Sequence, residues 1–216
     1  MTVRRVTLTF DNGPTPGITE QVLEVLDRAK IRATFFVLGK KLAAPPALAL
    51  ARDAHAAGHW IGNHTLTHSV ALGDDPDADY AAREIGETQA LIGDLAHPDK
   101  LFRPYGNSGR IGPHLLSQAA LAYLLAHRYR TIIWNSLPGD WRDPDGWVEA
   151  GVKQAQSLDW SVVVLHDVEI GCLPRLLEFL ARLGDLGVTF EQDFPEEMTL
   201  TRAGREVSLK KEYVTA

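Results

Sequence analysis

The chain has 216 residues, 45% of them hydrophobic and 23% charged, with a formal net charge of −6 at pH 7. This composition excludes a disordered or fibrous chain, and the acidic balance argues against a nucleic-acid binder, which carries a basic stripe. No run approaches the ~18 uninterrupted apolar residues of a membrane span, and the single cysteine, Cys172, excludes an internal disulfide and a cysteine-based zinc centre.

The N-terminus carries Arg4 and Arg5 but no apolar run of signal-peptide length, so the expected compartment is the cytoplasm. Val3–Phe10 is β-branched and alternating, a strand pattern stopped by Pro14 and Pro16. Val22, Leu23, Val25, Leu26 and Ala29 recur at helical spacing over 18–30, with Thr19 as the expected N-cap. The apolar run 33–38 reads as a buried strand. A helix over 45–57 stops at Gly58, and Trp60-Ile61-Gly62 forms a very short strand. Helix 77–95, strand 101–103, helix 113–127, strand 131–134 and helix 144–156 follow. The apolar strand 162–165, the Leu-rich amphipathic helix 173–183 and a last strand at 188–190 complete the series. Residues 199–216 read as an appended hairpin or tail.

Strand and helix thus alternate about seven times, which implies βαβ units and a parallel sheet, either doubly wound or closed into a barrel. No linker divides the chain, so residues 1–216 are expected to form one domain, with a core over about 3–190 and a C-terminal extension over 191–216.

Polar residues of unusual type follow the predicted strands: Asp11-Asn12, then Asn63-His64 with His68, Arg103 with Tyr105, Asn135 with Asp140-Trp141, and His166-Asp167. In a parallel α/β sheet these strand ends share one edge, where sites are built. The i, i+4 spacing of His64 and His68 puts two imidazoles within reach of one metal; ordinary surface histidines fit the pair equally. Asp11-Asn12-Gly13-Pro14 offers a carboxylate beside a carboxamide, or only an Asn-Gly turn. His166 suits a general acid or a satisfied strand-end histidine. Arg103 suits a partner for Asp11 or an ordinary surface charge. Asp11 and His166 are expected in exposed loops.

Taken together, the segments resemble the polysaccharide deacetylases of the NodB-homology type, carbohydrate esterase family 4. Thr9-Phe10-Asp11-Asn12-Gly13-Pro14 is similar to the family's Thr-Phe-Asp-Asp-Gly-Pro, and 64–68 to its His-(Ser/Thr)-x-x-His. Phe102-Arg103-Pro104-Tyr105-Gly106 resembles its Arg-Pro-Pro-Tyr-Gly turn, Asp140-Trp141 its Asp-Trp pair, and Val164-Leu165-His166-Asp167 its Leu-x-His-Asp. The resemblance spans most of residues 5–190. It implies a distorted (β/α)7 barrel and metal-assisted removal of an N-acetyl group from an aminosugar.

Carried over by position, Asp11 is the general base, held by Arg103, and His166 is the acid, steadied by Asp140. His64, His68 and Asn12 are the ligands of a divalent metal, zinc before others. Tyr105 offers its backbone N–H to the oxyanion, while Trp141 and Leu165 wall the acetyl pocket. The implied partner is a carbohydrate or a small amide, with neither nucleic acid nor a membrane span. Specificity is expected in the loops at 73–79 and 107–113 and after Asp167.

Two departures qualify the resemblance. Asn12 stands where the family has a metal-binding Asp, so it brings an oxygen but no charge. The turn at 103–106 is one residue shorter than the family's. Two other readings therefore stand beside the deacetylase: a metal-independent hydrolase of a small linear amide, and a non-catalytic carbohydrate-binding member.

Overall fold

The computed structural model describes residues 3–215. Seven parallel strands alternate with helices: β1 (Arg5–Asp11), β2 (Thr34–Val37), β3 (Trp60–Asn63), β4 (Leu101–Phe102), β5 (Arg130–Ile132), β6 (Trp160–His166) and β7 (Thr189–Glu191). The order is β6-β1-β2-β3-β4-β5. One edge of β1 is shared, since β7 takes Arg5–Thr7 and β2 takes Thr9–Asp11. The sheet closes where Ser136 bridges β6: its N–H donates to Val162 O at 3.2 Å, and Val164 N–H donates to its carbonyl at 3.0 Å. The Asn135 amide extends this seam, donating to Trp160 O and accepting from Val162 N–H. The result is a distorted (β/α)7 barrel. Asn135 therefore belongs to the seam, not to the group of polar residues lining a cleft.

Residues 199–206 form an antiparallel hairpin, β8 (Thr199–Arg202) and β9 (Arg205–Glu206), with β8 paired to β5.

The main helices are α1 (Thr19–Ala29), α2 (Gly39–Leu42), α3 (Pro45–Ala56), α4 (Thr88–Ile92), α5 (Gln118–Ala126), α6 (Trp147–Ser157) and α7 (Leu176–Asp185). None of the described helices is long and apolar enough to cross a membrane. Strand alternation sorts the side chains. Val6, Leu8, Phe10, Val163 and Leu165 face the helices in the outer core with Trp147, Leu176 and Phe179. Phe36, Phe102, Val162 and Val164 belong to a second core.

Several helix limits differ from expectation for local reasons. Thr19 does not cap α1; its hydroxyl donates to Asp167 Oδ2 at 2.6 Å. Residues 77–79 remain outside the helix because Asp75 and Asp77 side chains accept backbone N–H groups in short loops. The helix starts at Tyr80 and passes at once into a π turn at Ala82–Glu87. Between 113 and 127, Leu116 is extended and bridges Val214, so α5 starts only after Ser117, whose hydroxyl caps Ala120 N–H.

Candidate active site

The C-terminal strand ends surround a cleft of about 260 Å³. Asp11, Asn12, His64, His68, Tyr105, Trp141 and His166 all line it. Arg103 and Asp140 lie beneath, fully buried, each touching one of the lining residues.

Asp11 closes β1 and pairs in register with His166 at the end of β6. The carboxylate is buried, contrary to the expected exposed loop. Arg103 Nη1 donates to Asp11 Oδ1 at 2.8 Å and to Thr9 Oγ1 at 2.6 Å. Its guanidinium lies 4.1 Å from the Phe36 ring centre, a favourable cation–π placement. Gly62 makes room for that ring, since a Cβ there would lie 2.5 Å from Phe36. Burial pushes the Asp11 carboxyl up, but Arg103, His64 and His166 together outweigh it and hold it below the usual range.

His166 is the mirror case. Burial favours its neutral form, yet Asp140 prevails and raises it above the usual imidazole value. Asp140 Oδ1 sits 2.9 Å from His166 Nδ1, and Oδ2 accepts the His166 backbone N–H at 2.7 Å. Trp141 packs edge-on against the imidazole at 4.7 Å between centres. A carboxylate whose ionised form is favoured thus neighbours an imidazole whose protonated form is favoured, a division that suits a base and an acid.

His64 follows β3, and His68 lies in the loop beyond it rather than on a helix. The rings are 4.9 Å apart, and His68 packs on Tyr105 at 3.9 Å. His64 Nδ1 lies 2.8 Å from the Arg103 carbonyl, which fixes Nδ1 as the donor and leaves the Nε2 lone pair free, 3.6 Å from Asp11 Oδ2. Burial lowers both imidazoles, His68 to about 3, so both are neutral. Asn12 has a left-handed backbone (φ 73°), and its Oδ1 is buried without a hydrogen-bond partner. An orphaned oxygen on the same cleft as two neutral imidazoles fits a divalent cation. These three groups include no anion, and the nearby Asp11 carboxylate is paired with Arg103. Among the described residues, no three His, Cys, Asp or Glu side chains gather into a metal-binding group.

Leu165 is a correction. It is fully buried in the outer core, and Val164 lines the cleft instead. Val164 and His166, two apart on a strand, share a face, while Leu165 points the other way. Trp134, Leu137 and Gly106 also line the cleft and escaped the sequence reading. Of the specificity loops, Asn107, Ser108, Gly109 and Val168 reach the cleft; residues 73–79 are not among its lining.

A parallel α/β barrel with a carboxylate and an imidazole side by side at its strand ends defines a hydrolase built for acid–base chemistry. The chain belongs to the polysaccharide deacetylase family, whose family model matches residues 1–123, and with it to the hydrolases of carbon–nitrogen amide bonds. It is 36% identical over 173 residues to a chitooligosaccharide deacetylase of Rhizobium leguminosarum bv. trifolii, covering 79% of this chain and 74% of the relative. To a peptidoglycan-N-acetylglucosamine deacetylase of Bacillus cereus it is 31% identical over 197 residues, covering 87% and 86%. The solved family 4 carbohydrate esterase of Streptomyces lividans, in complex with acetate, superposes with a TM-score of 0.73 at 26% identity, covering 91% of this chain and 96% of that one.

Proposed function

We propose that the chain removes the acetyl group from an N-acetyl aminosugar, in an oligosaccharide of the chitin or peptidoglycan type. The observation that carries this reading is the juxtaposition in one cleft of Asp11, whose ionised form Arg103 favours, and His166, whose protonated form Asp140 favours. Asp11 accepts a proton from the water that attacks the acetyl carbon. His166 donates its proton to the amide nitrogen as the C–N bond breaks, leaving a free amine and acetate. Both groups then reset by proton exchange with solvent. Val164, Trp141 and Leu137 give the acetyl methyl apolar walls, and Tyr105 offers its backbone N–H towards the developing oxyanion.

His64, His68 and Asn12 Oδ1 would hold a divalent cation, zinc by the softness of two imidazoles, and such a cation supplies Lewis acidity to the carbonyl and to water. Asn12 also supports a second reading, amide hydrolysis without a cation. Acetate release from N-acetylglucosamine oligomers and peptidoglycan fragments, with and without chelator, tests both. Release by the parent protein and its loss in His166→Ala is expected. No release from either substrate class overturns the deacetylase reading, and release indifferent to chelator favours the second.

A further inference from the structure

His68 sits in a loop whose backbone is strained. Thr65 has φ 71° and His68 has φ 55°. Left-handed geometry in a β-branched residue is unfavourable and persists only where the surroundings enforce it. One side of the loop is held by backbone: Gly39 N–H donates to Thr65 O at 3.0 Å and Lys40 N–H to Leu66 O at 2.9 Å. The other side is held by one carboxylate. Glu84 is 3% exposed. Its Oε2 accepts from the Leu66 and Thr67 N–H groups at 3.0 and 2.9 Å, and its Oε1 accepts from the Thr67 hydroxyl at 2.8 Å. No salt bridge to Glu84 exists among the described residues, so these donors alone stabilise it there.

The π turn that carries Glu84 is tied to the same loop. Thr88 Oγ1 donates to Glu84 O at 2.9 Å, and Asn63 Nδ2 donates to Ile85 O at 2.8 Å. Asn63 Oδ1 in turn accepts the Thr65 N–H at 3.0 Å. A π turn disturbs the regular ladder and often marks a functional position; here it turns a carboxylate and a carbonyl towards the loop between the two histidines.

We propose that Glu84 is a positioning residue: it fixes the 64–68 loop, and through it the place of the His68 imidazole in the cleft. The role is geometric. Three converging donors require acceptors, which a carboxylate supplies. A glutamine can imitate it: its oxygen takes the two N–H groups, and its NH2 donates to Thr67 Oγ1, which is then free to donate to Ser69 Oγ, 2.6 Å away.

The test compares parent, Glu84→Ala, Glu84→Gln and Thr67→Val by amide hydrogen exchange at Leu66 and Thr67 and by the His68 imidazole signal in NMR. Neither readout needs turnover or bound metal, so a failure of the deacetylase reading leaves it intact. Glu84→Ala is expected to speed exchange at both amides at least about tenfold and to shift or broaden the His68 signal, while Glu84→Gln stays near the parent. Where the protein turns over N-acetylglucosamine oligomers, Glu84→Ala lowers kcat and Glu84→Gln restores it. Should Glu84→Ala not fold, Thr67→Val, which removes the hydroxyl contacts to Glu84 and Ser69 and keeps the two backbone ones to Glu84, is expected to move the His68 signal with the melting temperature nearly unchanged. An unmoved His68 signal in both folded variants, or a Glu84→Gln protein as loose as Glu84→Ala, overturns the proposal.

Discussion

Asp11 and Arg103 form one buried unit, and removing half of it has two effects. Asp11→Asn deletes the base, so kcat on an N-acetylated substrate is expected to fall by at least about 10²-fold. It also leaves the Arg103 charge uncompensated at a site with no solvent exposure, which costs about 3–5 kcal/mol. Urea denaturation beside the kinetics separates the two; a variant as stable as the parent would show that Arg103 finds another partner. Asn12 is a separate lever. Asn12→Asp adds a negative charge next to two neutral imidazoles, so zinc affinity by titration calorimetry should rise. If instead the site works without a cation, the new carboxylate repels Asp11 and raises one of their pKa values. Activity then drops while chelator leaves the parent unaffected.

Along β6, strict alternation decides what each residue does. Leu165→Ala empties a packed outer core and is expected to destabilise by about 2–5 kcal/mol, with kcat per folded molecule unchanged. Val164→Leu adds volume to the cleft side and should lower kcat/KM with little loss of stability. Equal kinetic damage from both substitutions would contradict the assignment of faces. The same element shows what was legible in the sequence. The strand-end cluster could be read because parallel βα units bring every C-terminal strand end to one edge, whatever the loop lengths. Residue type misplaced Leu165: in Leu-x-His-Asp the motif's Leu aligns with Val164, two before His166 and on the same face of the strand. Glu84 left no signal at all: the π turn breaks the helical period, so its facing is set by tertiary contacts. Asp11 and Arg103 were legible as a pair, but their burial was not, since a residue just past an apolar run reads as loop.

For the molecule as a whole, Asp167 makes a contribution of definite sign to the pH response. Its carboxyl, buried against Gly13 and Thr19, is pushed from 3.8 to about 7, mainly by desolvation. Between these values the folded protein keeps a proton that the unfolded chain has released, so stability falls as pH rises, by up to ~1.4 kcal/mol per pH unit. His166, raised above its ordinary value, acts in the same direction above about pH 6.5. Asp11, held low, acts oppositely and only in acid, below about pH 4. The imidazoles of His59, His64, His68 and His97, all lowered by desolvation, act oppositely below about pH 6.5. The Asp167 contribution is therefore read as a difference: in urea denaturation at about pH 5 and about pH 7 the parent should lose stability relative to Asp167→Asn, and parallel profiles would remove Asp167 as a cause. The barrel's seam carries a further consequence. Asn135 and Ser136 stitch it to β6, and the next residues along the chain, Leu137, Asp140 and Trp141, form or support one wall of the cleft. Asp140 continues the join by accepting the His166 N–H at the end of β6. The same carboxylate that completes the closure of the cylinder therefore supports the imidazole, which couples the integrity of the scaffold to the readiness of the acid.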